Sequence, residues 1–400
     1  MSVSSILPKK FGRYSLVLAL IFLLLGCRDN PDLLPRKDQY LVEAIDKGEI
    51  SREQLIKAAN SVVPGLGNVV ETGVKLYRLT YKTTNVDGAE IIASGAIVVP
   101  DGNRQYPMLS VQHGTIWEDA SAPSYFSPGT EIMEFGGIFG ALGYIAVFPD
   151  YIGYGASKQF PHPYEHRESL ATACLDMLRA AKEFLAQTHQ AKWNEKLYIS
   201  GYSEGGYATL SLQKKLEETA VAEFDLRAST CGSGAYNKTA FVKYLINNPT
   251  HGIAAYNKSY LWVLLSYNRI YHLNYPVSHF FKEPFASVIE QQKEMANLEG
   301  SFDGMLKEEF VGRINDGNEK EFLDAIADND LLDWKPKTPT QLYHGTADEL
   351  VFFFNSETAY QAMKAKGATQ LEFKPLEGKT HATAVTDYLL GTYSFFSSKP

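Results

Sequence analysis

The stretch Lys196-Leu197-Tyr198-Ile199-Ser200-Gly201-Tyr202-Ser203-Glu204-Gly205-Gly206-Tyr207-Ala208-Thr209-Leu210 runs from a β-rich segment directly into a helical one. Its centre, Gly201 to Gly205, is a G-x-S-x-G turn. A strand that reverses sharply into a helix crowds the positions two before and two after the serine, so only small residues fit there. The serine backbone is strained and its hydroxyl is lifted clear of the sheet. The flanks support this reading of a short pattern. Leu197-Tyr198-Ile199 has the composition of a buried strand, and Gly206 to Glu217 reads as a helix with Leu210, Leu212 and Leu216 apolar. Ser203 is therefore a candidate nucleophile; the plainer alternative is a Gly/Ser-rich loop with an inert hydroxyl.

Upstream, Lys75–Lys82 alternates and Ala89–Val99 is β-rich, with a turn at Asn85-Val86-Asp87-Gly88 between them, so the two read as an antiparallel pair. Met108–Gln112 and Tyr144–Phe148 are further strands, closing on His113-Gly114-Thr115 and Pro149-Asp150. Arg167–Gln187 reads as a long helix. Downstream come a strand at Leu226–Cys231, helical segments between Ala235 and Trp334, strands at Thr340–His344 and Gln370–Pro375, and helices at Ser356–Lys366 and Thr383–Phe396. Strands alternating with helices predict an α/β fold with a mostly parallel sheet covered on both faces. The expected organisation is an N-terminal segment 27–73 with two short helices, a core in two parts, 74–234 and 336–400, and a helical cap inserted at 235–335. The cap is dense in aromatics from Tyr256 to Phe285. These either pack the cap itself or line a pocket over Ser203.

With 400 residues, 45% of them hydrophobic, the chain can bury a sizeable core. A formal charge of −8 and the lack of a basic stripe argue against nucleic acid and for a small-molecule partner. Lys9, Lys10 and Arg13 precede an apolar run, Ser15–Leu25, too short to span a bilayer comfortably, which marks 1–26 as a signal peptide. Leu24-Leu25-Gly26-Cys27 resembles the lipobox of bacterial lipoproteins. That resemblance implies lipidation of Cys27 and an exported, membrane-anchored protein on the periplasmic or cell-surface side. Export would permit a disulfide between Cys174 and Cys231, and two free buried thiols fit their apolar surroundings equally well.

A serine hydroxyl needs a positioned base, usually a histidine held by a carboxylate. After a serine elbow of this kind the acid comes next in the chain and the histidine last. Asp348 follows a strand in Tyr343-His344-Gly345-Thr346-Ala347-Asp348, with Glu349 as a rival acid. His381 follows the final strand and is the last histidine in the chain. The oxyanion that develops during acyl transfer needs two fixed N–H donors, which this arrangement draws from the backbone of Glu204 and from the loop after His113-Gly114, at Thr115 or Ile116. His113 reads as a brace for that loop, and His344 and His251 as loop or packing residues. His162 and His166 suggest a metal pair, but Pro163 spoils the helical face they would share, so neither a metal nor a cofactor is expected.

Taken together, Gln112-His113-Gly114, Pro149-Asp150-Tyr151-Ile152-Gly153-Tyr154-Gly155, His162-Pro163-Tyr164, Gly201–Gly206, His344–Asp348 and Thr380-His381-Ala382 resemble the α/β-hydrolase superfamily, most of all its secretory lipase and esterase branch, over roughly 74–393. The resemblance implies hydrolysis of carboxylic esters, small-molecule or lipid, through an acyl-enzyme. It makes Ser203 the nucleophile, His381 the base, Asp348 the residue orienting it, and the Asp150 loop a border of the site. A serine peptidase of the aminopeptidase kind uses the same triad on the same fold, and a non-catalytic lipid-anchored binding protein is the alternative from another class.

Overall fold

The computed structural model describes residues 39–62 and 64–399. Residues 1–26, expected to be a signal peptide, and Cys27, the expected lipidation site, lie outside the described residues. In chain order the elements are β1 Leu41–Ile50, α1 Arg52–Val62, β2 Val74–Thr84, β3 Glu90–Pro100, β4 Gln105–Gln112, α2 Gly137–Ala141, β5 Ile145–Pro149, α3 Arg167–Thr188, β6 Lys192–Tyr202, α4 Glu204–Thr219 and β7 Asp225–Gly232. Then follow α5 Lys238–Asn247, α6 Ala254–Ile270, α7 Val277–Phe280, α8 Phe285–Gln292, α9 Glu308–Asn315, α10 Lys320–Asp328, β8 Thr340–Gly345, α11 Phe354–Ala365, β9 Leu371–Leu376 and α12 Val385–Ser397.

All nine strands form one sheet in the order β1-β2-β3-β5-β4-β6-β7-β8-β9. Pairing is antiparallel from β1 through β5 and parallel from β5 to β9. Alternate side chains send the two faces of each strand into different cores, as the period of two requires. On β6, Leu197 and Ile199 pack with Leu178 of α3, Leu210 of α4 and Met363 of α11, whereas Tyr198 packs with Phe395 and Phe396 of α12. Ala96 and Val98 of β3 meet Leu55 of α1 and Ile138 of α2 on that second face. The predicted α/β architecture is therefore present, with helices on both sides of a mostly parallel sheet.

One element differs in type. The sequence around Asp38–Asp46 reads as a helix, yet 41–50 is the edge strand β1, paired with β2 from Leu41↔Tyr81 to Ile50↔Val74 across two register irregularities. Its side chains are exposed on both faces, so no alternation marks it; it is held by backbone pairing. Glu183 fixes its entry, the carboxylate accepting from Tyr40 N at 3.0 Å and Leu41 N at 2.7 Å. Charges at Glu43, Asp46, Lys47 and Glu49 suit an unpaired sheet edge. The helix that follows begins as the sequence predicts, Ser51 and Gln54 bonding each other's backbone amides at 2.9 and 3.3 Å.

Between β7 and β8 the chain builds α5 to α10 around an apolar cluster of its own, centred on Phe280, Phe281, Phe302, Phe310 and Phe322. Cys174 in α3 and Cys231 in β7 are both free and buried.

The elbow is the most crowded turn in the sheet. A Cβ at Gly205 would be driven into the Gln112 carbonyl oxygen, one at Gly206 into that of Gly232, and one at Gly201 into that of Gly205. Gly205→Ala should therefore destabilise the fold by about 1–3 kcal/mol. Gly312→Ala, in a helix with nothing within 4 Å of the added methyl, should instead stabilise by about 0.5–1 kcal/mol. Urea unfolding of the two variants beside the parent measures both signs.

Candidate active site

Ser203 sits between β6 and α4 with φ 60° and ψ −124°, a left-handed conformation that non-glycine residues rarely adopt. Its N–H donates to Gly232 O at 2.9 Å, which ties the strained residue to the end of β7. His381, in the loop after β9, places Nε2 2.9 Å from Ser203 Oγ. Its Nδ1 lies 2.7 Å from Asp348 Oδ2, in the loop after β8. An ionised carboxylate only accepts, so Nδ1 carries the proton and Nε2 is left to accept from the serine hydroxyl.

Asp348 is fully buried, and burial alone would raise its carboxyl. Hydrogen bonds from His344 and His381 outweigh that and hold it well below the usual carboxylate range. Its other oxygen accepts from Leu350 N at 3.0 Å and Val351 N at 2.9 Å. His344 thus does more than fill space. Its Nε2 lies 2.6 Å from Val351 O and 3.2 Å from Asp348 Oδ2, and its Nδ1 lies 2.6 Å from Ser356 Oγ. The rival acid, Glu349, instead accepts from Tyr256 OH at 3.2 Å.

Strand pairing brings the other loop alongside. Gln112 ends β4 opposite Gly201 of β6, so His113–Ile116 emerges next to the elbow. Three tyrosines hold that loop: Tyr151 OH donates to His113 O at 3.0 Å, Tyr154 OH donates to Ile116 O at 2.7 Å, and Tyr164 OH lies 2.8 Å from Thr115 Oγ1. His113 is stacked on Tyr151 with ring centroids 4.1 Å apart, and both its ring nitrogens face backbone carbonyls. Asp150 is buried beneath, its carboxylate accepting from Ser94 Oγ at 2.5 Å and Ser124 N at 2.8 Å.

Glu204 opens α4, so its amide has no partner within the helix. Its side chain is buried against His162, with Nε2 2.8 Å from Oε1. The other nitrogen of His162 lies 2.6 Å from Ile152 O, which can only accept. Nδ1 is therefore protonated, and a single further proton is shared between His162 and Glu204. The structure does not bring His162 and His166 together as a pair of ligands. His166 caps α3 by accepting from Ser169 N, and among the described residues no group of three or more His, Cys, Asp or Glu could hold a metal ion.

Ser203, His381 and Thr115 open onto a cavity of about 340 Å³ that runs under the helices between β7 and β8. Its walls are largely apolar, with Phe241 and Leu245 from α5, Val263 and Leu264 from α6, and Phe310 and Phe322 from α9 and α10. The cap aromatics divide between the two expected roles: Tyr260 and Tyr267 line the cavity, whereas Phe280 and Phe281 are buried in the cap's own core. Trp262 joins cap to core, stacked on Tyr164 at 4.5 Å and on Trp117 at 5.2 Å. One wall carries a buried ion pair, Glu165 with Lys238, which the sequence analysis did not single out.

Residues 133–388 match the family model of the secretory lipases. The chain belongs to the secretory lipase family. Membership in this family makes carboxylic-ester hydrolysis its reaction class. Among solved structures, a Legionella pneumophila protein described as a candidate hydrolase aligns with a TM-score of 0.78 at 26% identity, over 90% of this chain and 98% of its own. The rice cell wall degrading esterase LipA of Xanthomonas oryzae aligns with 0.72 at 24% identity, over 90% and 96%. Candida antarctica lipase A in its closed state gives 0.65 at 17%, over 91% and 82%. The last two show that this chain shares their fold. No curated protein sequence matches the chain.

Burial lowers His166 from its ordinary 6.5 to about 4. Between those values the unfolded chain binds the extra proton, so the neutral, buried ring contributes stability above pH 6.5 that is lost as pH falls toward 4. Asn is a good cap that does not titrate there. His166→Asn should flatten the stability profile across this window, as read from urea midpoints at intervals of half a pH unit.

Proposed function

We propose that the protein hydrolyses carboxylic esters through an acyl-enzyme formed on Ser203. His381 Nε2 takes the hydroxyl proton as Oγ attacks the ester carbonyl, and returns it to the departing alkoxide. Water then repeats the sequence on the acyl-serine, with His381 again as base and then acid. Asp348 holds the Nδ1 proton and stabilises the imidazolium formed at each attack. The backbone amides of Glu204 and Thr115 supply the two donors for the oxyanion.

The observation that carries this reading is the unbroken chain Ser203 Oγ to His381 Nε2 at 2.9 Å and His381 Nδ1 to Asp348 Oδ2 at 2.7 Å, on a serine held at positive φ. The apolar cavity beside Ser203 suits the acyl group. At about 340 Å³ it lies near the small end of small-molecule sites, which favours short to medium acyl chains. Tethering to a membrane through Cys27 completes the proposal and rests on the Leu24–Cys27 pattern alone.

The test is hydrolysis of p-nitrophenyl esters from acetate to palmitate by the chain from residue 28 onward, with an aminoacyl p-nitroanilide for comparison. Ser203→Ala should lower kcat by about 10⁴-fold or more with the fold intact. The ester optimum should fall well short of palmitate, with the anilide untouched. A mutant within tenfold of the parent would remove Ser203 from the mechanism, and anilide cleavage without ester preference would favour a peptidase.

A further inference from the structure

The buried ion pair in the cavity wall is out of keeping with the surfaces around it. Lys238 is 1% exposed and Glu165 5%, yet both line the same largely apolar cavity as Ser203. Desolvating two charges is expensive, and an apolar pair of similar volume would close this wall without that cost. Burial pushes the Glu165 carboxyl up and the Lys238 ammonium down, and their attraction for each other opposes both shifts.

The bonding capacity of the pair is only partly used. An ammonium has three N–H donors. One is taken by Glu165 Oε2, and the face of the Tyr207 ring, 4.2 Å from Nζ at its centroid, receives a second. The third has no acceptor among the described residues. Oε2 is the Glu165 oxygen bonded to Lys238, and Oε1 has no hydrogen-bond donor among the described residues. The backbone holds this arrangement rigidly: Glu165 has φ 51°, and its carbonyl accepts from Tyr267 OH of α6 at 2.9 Å. A spare donor and a spare acceptor thus stand side by side in a largely apolar wall. An anionic group would meet the carboxylate and a cationic group the ammonium. A neutral hydroxyl satisfies both, accepting from Lys238 and donating to Glu165.

We propose that the cavity selects esters whose acyl group carries a hydroxyl, bound by Lys238 and Glu165. This rests on the reading of Ser203 as nucleophile and of the cavity as the acyl site.

The experiment compares kcat/KM for ethyl hexanoate and ethyl octanoate with each of their monohydroxy isomers that is stable as an open-chain ester. The enzymes are the parent, Lys238→Met/Glu165→Gln and Ser203→Ala. A hydrogen bond to a buried charged group predicts that at least one hydroxylated isomer exceeds its parent ester by about tenfold or more. The double variant should bring that ratio close to one. The ratio is read on a single preparation, so the fraction folded does not affect it, and the parent enzyme alone decides the matter if the variant does not fold. No isomer preferred over its parent ester, or a preference that survives in the double variant, overturns the proposal. Hydrolysis that survives Ser203→Ala overturns instead the reading on which it rests.

Discussion

Everything at this site depends on one crowded turn. Where β6 passes into α4, the carbonyls of Gln112 on one side and Gly232 on the other come so close that only glycine fits at 205 and 206. Ser203, between Gly201 and Gly205, is held in a conformation that costs energy, and the surrounding sheet over-determines it. The same closeness does useful geometric work. It sets the loop after β4 and the end of β7 against the serine, so one steric constraint places the elbow, that loop and the entrance to the cavity side by side.

Around that turn the polar groups support one another in sequence. Ser356 and Val351 hold His344, His344 helps hold Asp348, and Asp348 orients His381. On the opposite side Tyr151, Tyr154 and Tyr164 fix the loop after β4, and His162 anchors the side chain of Glu204. Groups buried in this way gain from each satisfied partner and lose heavily from a missing one. Ser203, His381 and Asp348 are therefore held in a geometry that leaves little freedom to rearrange.

Legibility from sequence followed the range of the interactions. The elbow, the strand ends and the alternation of strand and helix are local patterns, and chain order narrowed the choice of acid and histidine to Asp348 and His381. Pairs between distant segments left no such mark: Glu165 with Lys238 and His162 with Glu204 show only when the chain is folded. β1 escaped for a different reason. A strand exposed on both faces has no hydrophobic period, and Leu41–Ile50 is specified by its backbone and its neighbour β2.

The helices between β7 and β8 share an apolar nucleus with Val351 beyond β8 and are tied to the sheet domain at several places, by Trp262 on Tyr164, Tyr260 OH to Leu350 O at 2.9 Å and Phe241 beside Phe352. The cavity wall and the loop that carries Asp348 are therefore packed as one body. A substitution at Phe241 reshapes the cavity and also alters the packing of Phe352, four residues beyond Asp348. Over evolutionary time the cavity of such a chain cannot be remodelled at Phe241 without a matching change in the loop beyond Asp348.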